Sequence, residues 1–99
     1  MSLETIRTEE RRLAILKVLA KSPGRSANCY VLHSSLNAIG HVSTLDQVRG
    51  ALAWLGEQEL VEVRDLGAGM VVADLRQRGD EVQAGLTTHP GVARPYPAA

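Results

Sequence analysis

The sequence predicts an α+β fold that is mainly helical, and three observations support this prediction. Apolar residues recur at helical spacing in three segments between residues 3 and 60. After residue 60 the apolar period changes from about 3.6 residues to about 2, which indicates β-strands. The chain has no Phe, one Trp and two Tyr, so its core must be mainly aliphatic, which favours helices over a large sandwich. The expected order is three helices, a β-hairpin, a C-terminal helix and an extended tail.

The chain of 99 residues is long enough for one domain with a single hydrophobic core. We place this domain at residues 1–86 and a Pro-rich extended tail at residues 87–99. Pro90, Pro95 and Pro97 prevent a helix in the tail. A tail of this composition either lies along the body of the domain or stays mobile.

The first predicted helix covers residues 3–20 and has two different halves. Residues 13–20 are apolar on nearly every side, which predicts deep burial. The charged first half either packs on the same domain or forms a pairing surface for a second copy. Pro23 and Gly24 end this helix, because neither residue continues a helix well.

The second predicted helix begins near Ser26 or Asn28, either of which can cap it, and ends at Gly40. Three apolar side chains are expected on its buried face: Leu32, Leu36 and Ile39. Only a few residues separate this helix from the next, which is the spacing of a helix-turn-helix.

The third predicted helix covers residues 42–60 and is the main functional candidate. We expect Ser43 to cap it and Asp46 to complete a capping box. A buried stripe is predicted at Leu45, Val48, Leu52 and Leu55. Small or polar residues are expected to face outward at Ser43, Asp46, Gln47, Gly50 and Ala53. This outward face belongs either to a recognition helix or to an ordinary solvated core helix.

The alternating segments after the third helix predict a hairpin with strands at residues 60–65 and 70–75. Gly67 and Gly69 allow the positive backbone angles of a tight connection. A last helix is expected at residues 75–84, interrupted by Gly79, with Val82 as its main core residue.

Charge and cysteine content restrict the function classes. The formal net charge is +0, which lacks the usual signature of a nucleic-acid binder, but basic residues concentrate in residues 1–25. Cys29 is the single cysteine, so no intramolecular disulfide forms and a reducing compartment is expected. No apolar run resembles a signal peptide or a membrane span. These features predict a cytoplasmic protein with no membrane association.

The predicted element order is that of a winged helix-turn-helix, in which the hairpin is the wing. The chain also resembles a known family in five runs, at residues 13–16, 40–43, 46–49, 52–61 and 91–95. It resembles the small winged-helix regulators of the ArsR-like group, and is especially similar to short winged-helix proteins of Mu-like phages and prophages. The resemblance implies a homodimer that binds double-stranded DNA and regulates transcription. It also implies that the third helix enters the major groove.

Six residues are candidates for contacts with DNA: Ser43, Thr44, Gln47, Arg49, Arg64 and Arg25. Ser43, Thr44 and Gln47 offer donors and acceptors for base edges at the helix start. Arg49 is expected at the edge of the exposed face, within reach of a phosphate. The turn between the strands contains no Lys or Arg, so we expect weak, salt-sensitive binding unless other basic residues or a dimer contribute.

The main alternative is a protein-interaction module that keeps the fold but contacts a partner through Trp54, the neutral hairpin or the tail. Glutamates 57, 59 and 62 around the third helix would favour it. Trp54 is otherwise expected to pack against the hairpin or the first helix. Cys29 and His33 share a helix face, but one Cys and three His make a poor metal site, so no metal or cofactor is expected. No phosphate-binding loop or nucleophile elbow is present, and we do not expect an enzyme.

Overall fold

A computed structural model describes residues 1–96 of the chain. Within this range the protein has an α+β fold that is mainly helical, as predicted. The elements in chain order are α1 (Leu3–Lys21), β1 (Ser26–Asn28), α2 (Cys29–Ala38), α3 (Leu45–Glu57), β2 (Val61–Asp65), β3 (Val71–Leu75) and α4 (Gln77–Gln83), with a single 3₁₀ turn at Pro23–Arg25. No helix within residues 1–96 combines the length and the apolar character needed to cross a membrane.

Helix α1 runs through the centre of the fold. Ser2 caps its start by accepting a hydrogen bond from the Thr5 amide, and it continues to Lys21. The buried side chains of its second half, Leu13, Ile15, Leu16 and Leu19, are at most 4% exposed, which confirms the predicted burial. In the charged first half, residues 3–7 are exposed, residues 8–10 are half-buried and Arg11 is buried.

The sheet has three antiparallel strands in the order β1-β3-β2. The hairpin of β2 and β3 is confirmed, with Val63 opposite Ala73. Strand β1 was not expected, because three residues are too short to show an alternating pattern. It pairs with the other side of β3, where Ala27 lies opposite Ala73. Ser26, one of the two expected caps of α2, lies at the start of this strand. Asn28, the other expected cap, caps the helix by accepting a hydrogen bond from the Val31 amide.

The expected burial of Ile39 is wrong, since its side chain is 64% exposed. Helix α2 ends at Ala38, so the helical spacing that buries Leu32 and Leu36 does not extend to residue 39. Gly40 follows with φ +86°, the left-handed conformation expected at the end of this helix.

The expected cap of α3 is also wrong by one residue. Thr44 is the N-cap, and its hydroxyl accepts a hydrogen bond from the Gln47 amide, while the Gln47 side chain accepts one from the Thr44 amide. Asp46 takes no part in this capping box and is 94% exposed. Ser43 is unavailable as a cap because its hydroxyl is bound to Arg11 inside the protein. The helix therefore begins at Leu45.

Gly79 does not interrupt α4, contrary to expectation. It is a buried helical residue whose backbone packs on the carbonyl group of Leu60. The same carbonyl oxygen accepts a hydrogen bond from the Arg76 amide at 3.1 Å. The missing side chain at residue 79 is thus a packing requirement. Val82 is 4% exposed and belongs to the core, as predicted.

The described part of the tail lies along the body. Val92 is 7% exposed and joins the core, and the Ala93 amide donates a hydrogen bond to the Glu9 carbonyl oxygen at 3.2 Å. Of the two expected alternatives, residues 87–96 take the packed one. Pro97 and the two residues after it lie outside the described residues.

Candidate nucleic-acid interface

The first half of α3 presents a polar surface on a helix that is otherwise buried. Thr44, Asp46, Gln47 and Gly50 are exposed. The opposite side of the helix forms core contacts through Val48, Ala51, Leu52 and Leu55, all at most 8% exposed. This contrast follows from the sequence, because apolar residues occur on one helical face only.

Ser43, expected to face outward, is 6% exposed and lies in the interior. Its hydroxyl oxygen accepts a hydrogen bond from Arg11 Nε at 2.9 Å. Its amide donates to Asn37 Oδ1 at 3.2 Å, and His33 Nε2 lies 2.9 Å from its carbonyl oxygen. Ser43 therefore joins α1, α2 and the start of α3, and its outward placement is wrong.

Thr44 and Gln47 are adjacent and exposed, as expected, but their side chains are partly occupied. Gln47 Oε1 accepts from the Thr44 amide at 3.0 Å, and Thr44 Oγ1 accepts from the Gln47 amide at 3.1 Å. The side-chain nitrogen of Gln47 donates no hydrogen bond to any of residues 1–96. A hydrogen-bond donor thus remains at the helix start.

Arg49 bends toward the hairpin turn. Its Nε and Nη2 donate to the Gly69 carbonyl oxygen at 3.2 and 2.9 Å, and Nη2 also donates to the Tyr30 hydroxyl at 3.3 Å. Cys29 Sγ donates to the same Gly69 oxygen at 3.4 Å. We call these four residues the hairpin junction. The junction ties the turn between β2 and β3 to α2 and α3.

Arg64 and Arg25 each form an ion pair within the protein. Arg64 lies 2.8 Å from Asp74, and its hydrogen bond, followed by one from Ser26, lowers the pKa of Asp74. Arg25 lies 2.8 Å from Asp80. The pKa of Asp80 is lowered by hydrogen bonds from Gln83 and then from Arg25. Both arginines therefore already have a carboxylate partner within the protein.

The structure brings together only part of the predicted site. Thr44 and Gln47 form the exposed start of α3, whereas Arg49 belongs to the hairpin junction and Ser43 to the interior. Arg64 contacts β3 and Arg25 contacts α4 through their ion pairs.

A pocket of about 490 Å³ lies between α1 and the start of α3, and sequence reasoning missed it. It is lined by Leu3, Glu4, Arg7, Thr8, Arg11 and Gln47, and we call it the α1–α3 pocket. Arg11 is only 7% exposed. The available signal was the spacing of Arg7 and Arg11, four residues apart on one helix face.

The other end of α3 is acidic. Glu57, Glu59 and Glu62 line a groove together with Ala53 and Gly56. Glu59 lies 3.8 Å from Arg76 and 3.6 Å from Arg78, whereas neither other glutamate has a cation within 4.0 Å among the described residues. The exposed side of α3 carries one acidic residue at its start, Asp46, which lies 3.5 Å from Arg49. Three glutamates surround the end of the helix, where Arg76 also lines the groove.

Trp54 packs inside the molecule against the first helix, as predicted, and against the tail. Arg12 Cζ lies 3.8 Å from the Trp54 ring centroid, and Arg12 Nη1 donates to the Gly91 carbonyl oxygen at 2.9 Å. The His89 ring meets Trp54 edge-on at 5.8 Å, while His89 Nε2 lies 3.0 Å from Gln58 Oε1. Residues of α1 and of the tail thus cover the Trp54 ring, which was a candidate contact surface for a partner.

Cys29 is buried, and residues 1–96 contain no group of three or more His, Cys, Asp or Glu residues that converge as metal ligands. The expected absence of a metal site stays a prediction.

Comparison with known proteins relates the chain to a phage protein. It is 42% identical to the uncharacterized protein gp26 of Escherichia phage Mu over 97 residues, which cover 98% of this chain and 99% of gp26. The chain belongs to the family of phage Mu gp26. A gp26-family relative in Haemophilus influenzae is 37% identical over 78 residues, which cover 79% of this chain and 76% of that uncharacterized protein. No model of a known protein family and no solved structure matches the chain. The expected relationship to proteins of Mu-like phages is thereby confirmed.

In this gp26-family protein, the start of α3 offers hydrogen-bonding groups for a polar partner, and the neighbouring pocket contains two arginines. The other end of the same helix carries Glu57, Glu59 and Glu62 together with Arg76.

Proposed function

We propose that this protein is a winged helix-turn-helix DNA-binding protein, a transcriptional regulator of phage or prophage type. The observation that supports the proposal best is the exposed polar start of α3 on a helix whose opposite face packs into the core, with Leu45 half-buried and Val48, Leu52 and Leu55 buried. An α-helix fits the major groove of duplex DNA, where base edges can be distinguished. In the proposal, Thr44 and Gln47 contact base edges, and Gly50 allows close approach.

The element order supports the winged-helix arrangement. A short connection joins α2 to α3, and a β-hairpin follows α3 directly. The hairpin junction holds the turn beside the same helix through Arg49 and Gly69. In the proposal, α3 enters the major groove and the adjacent hairpin contacts the same DNA duplex.

Charge limits the affinity that the proposal predicts. Arg25 and Arg64 are ion-paired, and the formal net charge is +0. Because phosphate neutralisation supplies much of the affinity for DNA, a single copy is expected to bind weakly. A homodimer that contacts two half-sites would strengthen binding.

A groove of about 700 Å³ beside α1 supports the expected homodimer. It contains apolar side chains from α1, from the connection after α2 and from the tail: Ile6, Leu13, Val18, Ile39 and Tyr96. Ile39 is 64% exposed and Tyr96 is 81% exposed, although both are large and apolar. We place the dimer contact here because exposed apolar clusters mark interaction surfaces. Sedimentation equilibrium of Ile39→Glu should give a monomer where the parent protein gives a dimer, with Thr88→Glu as the control.

The DNA-binding proposal is tested by selecting duplexes from a random pool and measuring their affinity by fluorescence anisotropy at two salt concentrations. The informative variant is Gln47→Glu, because Glu at this position keeps the capping box but removes the amide donor. Affinity for the selected duplex should fall at least tenfold. The control is Thr88→Glu, which adds a negative charge at an exposed tail position. The proposal is wrong if no duplex binds at low salt, and α3 is not the reader if Gln47→Glu binds like the parent.

The second candidate function is a protein-interaction module, and the acidic groove at Glu57, Glu59 and Glu62 favours it. Such a groove suits a basic partner segment. Affinity capture from infected or lysogenic cells, with and without DNase, separates the two functions. A partner that resists DNase and is lost with Glu57→Gln and Glu62→Gln supports the module.

A further inference from the structure

We propose that the α1–α3 pocket binds a phosphate group of the DNA backbone beside the start of α3, through Arg11 and Arg7. This inference rests on the proposed function and assigns the anchoring contact that the ion-paired arginines do not supply. Three observations support it. Arg11 is buried and has one hydrogen-bond partner in the protein, the other groups that line the pocket suit a phosphate, and the pocket lies beside the start of α3.

Arg11 is a buried cation with a single partner in the protein. It is 7% exposed, and its Nε donates to Ser43 Oγ at 2.9 Å. Its two terminal nitrogens donate no hydrogen bond to residues 1–96, and no carboxylate in that range lies within 4.0 Å of it. Burial, followed by the charge of Arg7, lowers the pKa of Arg11, which reflects the cost of keeping a charge there. The two terminal nitrogens keep contact with solvent in the pocket, where an anion would replace water as their partner.

The remaining groups of the pocket suit a phosphate. Arg7 lies one helical turn before Arg11, and its Nη2 donates to the Val42 carbonyl oxygen at 2.7 Å, which holds its guanidinium in place. The Thr8 hydroxyl and the Gln47 side chain also line the pocket. Guanidinium groups bind phosphate oxygens with paired hydrogen bonds. The pocket thus offers two cations and two neutral hydrogen-bonding side chains.

One carboxylate lines the same pocket. Glu4 is exposed, and its charge partly offsets the lowering of the Arg11 pKa. It forms no ion pair with Arg7 or Arg11 within 4.0 Å in the described part of the chain. The pocket therefore has an excess of one positive charge, and replacing Glu4 should strengthen anion binding.

The position of the pocket selects a backbone phosphate as the occupant. Gln47 belongs both to the pocket and to the exposed start of α3, so an anion bound there lies next to the proposed base contacts. The nearby N-terminal end of α3 carries a positive partial charge. Phosphate contacts beside a recognition helix set its register and orientation on the duplex. Arg11 and Arg7 would set this register here.

The first test uses inorganic phosphate alone as the probe and follows the side-chain N–H signals of Arg11, Arg7 and Gln47 by NMR. These signals should shift together and saturate with one dissociation constant. Glu4→Gln should lower that constant, and Arg7→Gln should raise it about tenfold, the effect of losing one charge-assisted contact. Arg78→Gln, which removes a positive charge on α4, should leave it unchanged.

The second test measures duplex affinity against salt for Arg7→Gln, Arg11→Met and the control Arg78→Gln. Arg7 is exposed, so Arg7→Gln should fold normally. This variant alone can test the pocket if Arg11→Met does not fold. Both pocket variants should bind about tenfold more weakly. The slope of log affinity against log salt concentration should also become less negative by about one unit. The control should match the parent.

The two tests separate the inference from the proposed function. If the parent binds duplex DNA but the pocket variants keep its affinity and salt dependence, the pocket inference is wrong and the DNA-binding function stands. If phosphate shifts the Arg11 and Arg7 signals but no duplex binds, the DNA-binding function is wrong and the pocket remains a phosphate site. If phosphate shifts nothing and no duplex binds, both are wrong.

Discussion

Gly79 of α4 packs directly on the carbonyl group of Leu60, where no Cβ atom fits. A methyl group at residue 79 would also come within 2.9 Å of Leu75 Cδ1. We therefore predict that Gly79→Ala lowers the free energy of unfolding by about 2 kcal/mol or more, because the backbone must shift to relieve the overlap. Urea denaturation measures this loss.

Gly50 is the matched control for that substitution. It is also helical, but it is exposed, and no atom lies within 4 Å of a Cβ added there. Gly50→Ala should raise the free energy of unfolding by about 0.5 to 1 kcal/mol, the usual helix-propensity gain. Equal effects of the two substitutions would contradict the packing role of Gly79.

Removal of the tail should expose Trp54. The tail covers this ring through His89 and Gly91, and Val92 contributes to the core. Because Trp54 is the single tryptophan, the wavelength of tryptophan emission reports the environment of this ring. A chain that ends at residue 86 should show red-shifted emission and a lower melting temperature. Full stability of the shortened chain would instead support residues 1–86 as an independent domain.

Stability should fall when the pH is lowered through the range in which histidine titrates. Burial, followed by the charge of Arg78, lowers the pKa of His89 below its usual value of 6.5. The unfolded chain therefore takes up a proton at a higher pH than the folded chain does. The stabilisation is complete above the unfolded pKa and is lost as the pH falls toward the folded pKa.

Urea denaturation of the parent and of His89→Gln measures this contribution. The range from about pH 7.5 to about pH 5 brackets the usual histidine pKa. The variant should lose less stability over this range than the parent does. Identical slopes would show that His89 makes no difference. The lowered pKa values of Asp74 and Asp80 act in a separate window, since their stabilisation is lost only below the usual carboxylate range.

Arg49→Lys should loosen the hairpin turn while it keeps the positive charge. Lysine cannot reproduce the fork that contacts both the Gly69 carbonyl and the Tyr30 hydroxyl. Hydrogen exchange at the Met70 amide, which donates to the Gly67 carbonyl oxygen, should become faster. The control is Arg64→Lys in the same hairpin, which makes the same replacement outside the hairpin junction and should leave exchange at Met70 unchanged. Unchanged exchange in Arg49→Lys would mean that the junction does not hold the turn.

The strongly periodic parts of the fold were predictable from the sequence. The buried half of α1 has a nearly continuous apolar run and the hairpin has an alternating apolar pattern, and both elements are found. Strand β1 has only three residues and forms because β3 offers a free edge, so no local pattern marks it. Gly79 was misjudged for a similar reason, since its role depends on Leu60, which is distant in the chain.

The candidate site was predictable only in its location. The start of α3 is exposed as expected, but Ser43 and Thr44 were equally suitable caps on local grounds. The choice between them depends on Arg11, which lies 32 residues earlier and binds the Ser43 hydroxyl. The partners of Arg49 and the pocket at Arg11 likewise depend on how helices pack together. Local sequence identifies candidate side chains, and tertiary contacts determine which of them remain exposed.

The hydrogen bond from Arg12 to Gly91 connects residues 79 positions apart, and it has a consequence for how the chain folds. Helix α1 precedes Trp54 and Val92 in the chain, so its packing is complete only after both of these residues have been synthesised. Such distant contacts must overcome the entropy of closing a long loop and slow folding. On the ribosome, the nascent protein would therefore carry exposed apolar surface on α1 until residue 92 has emerged.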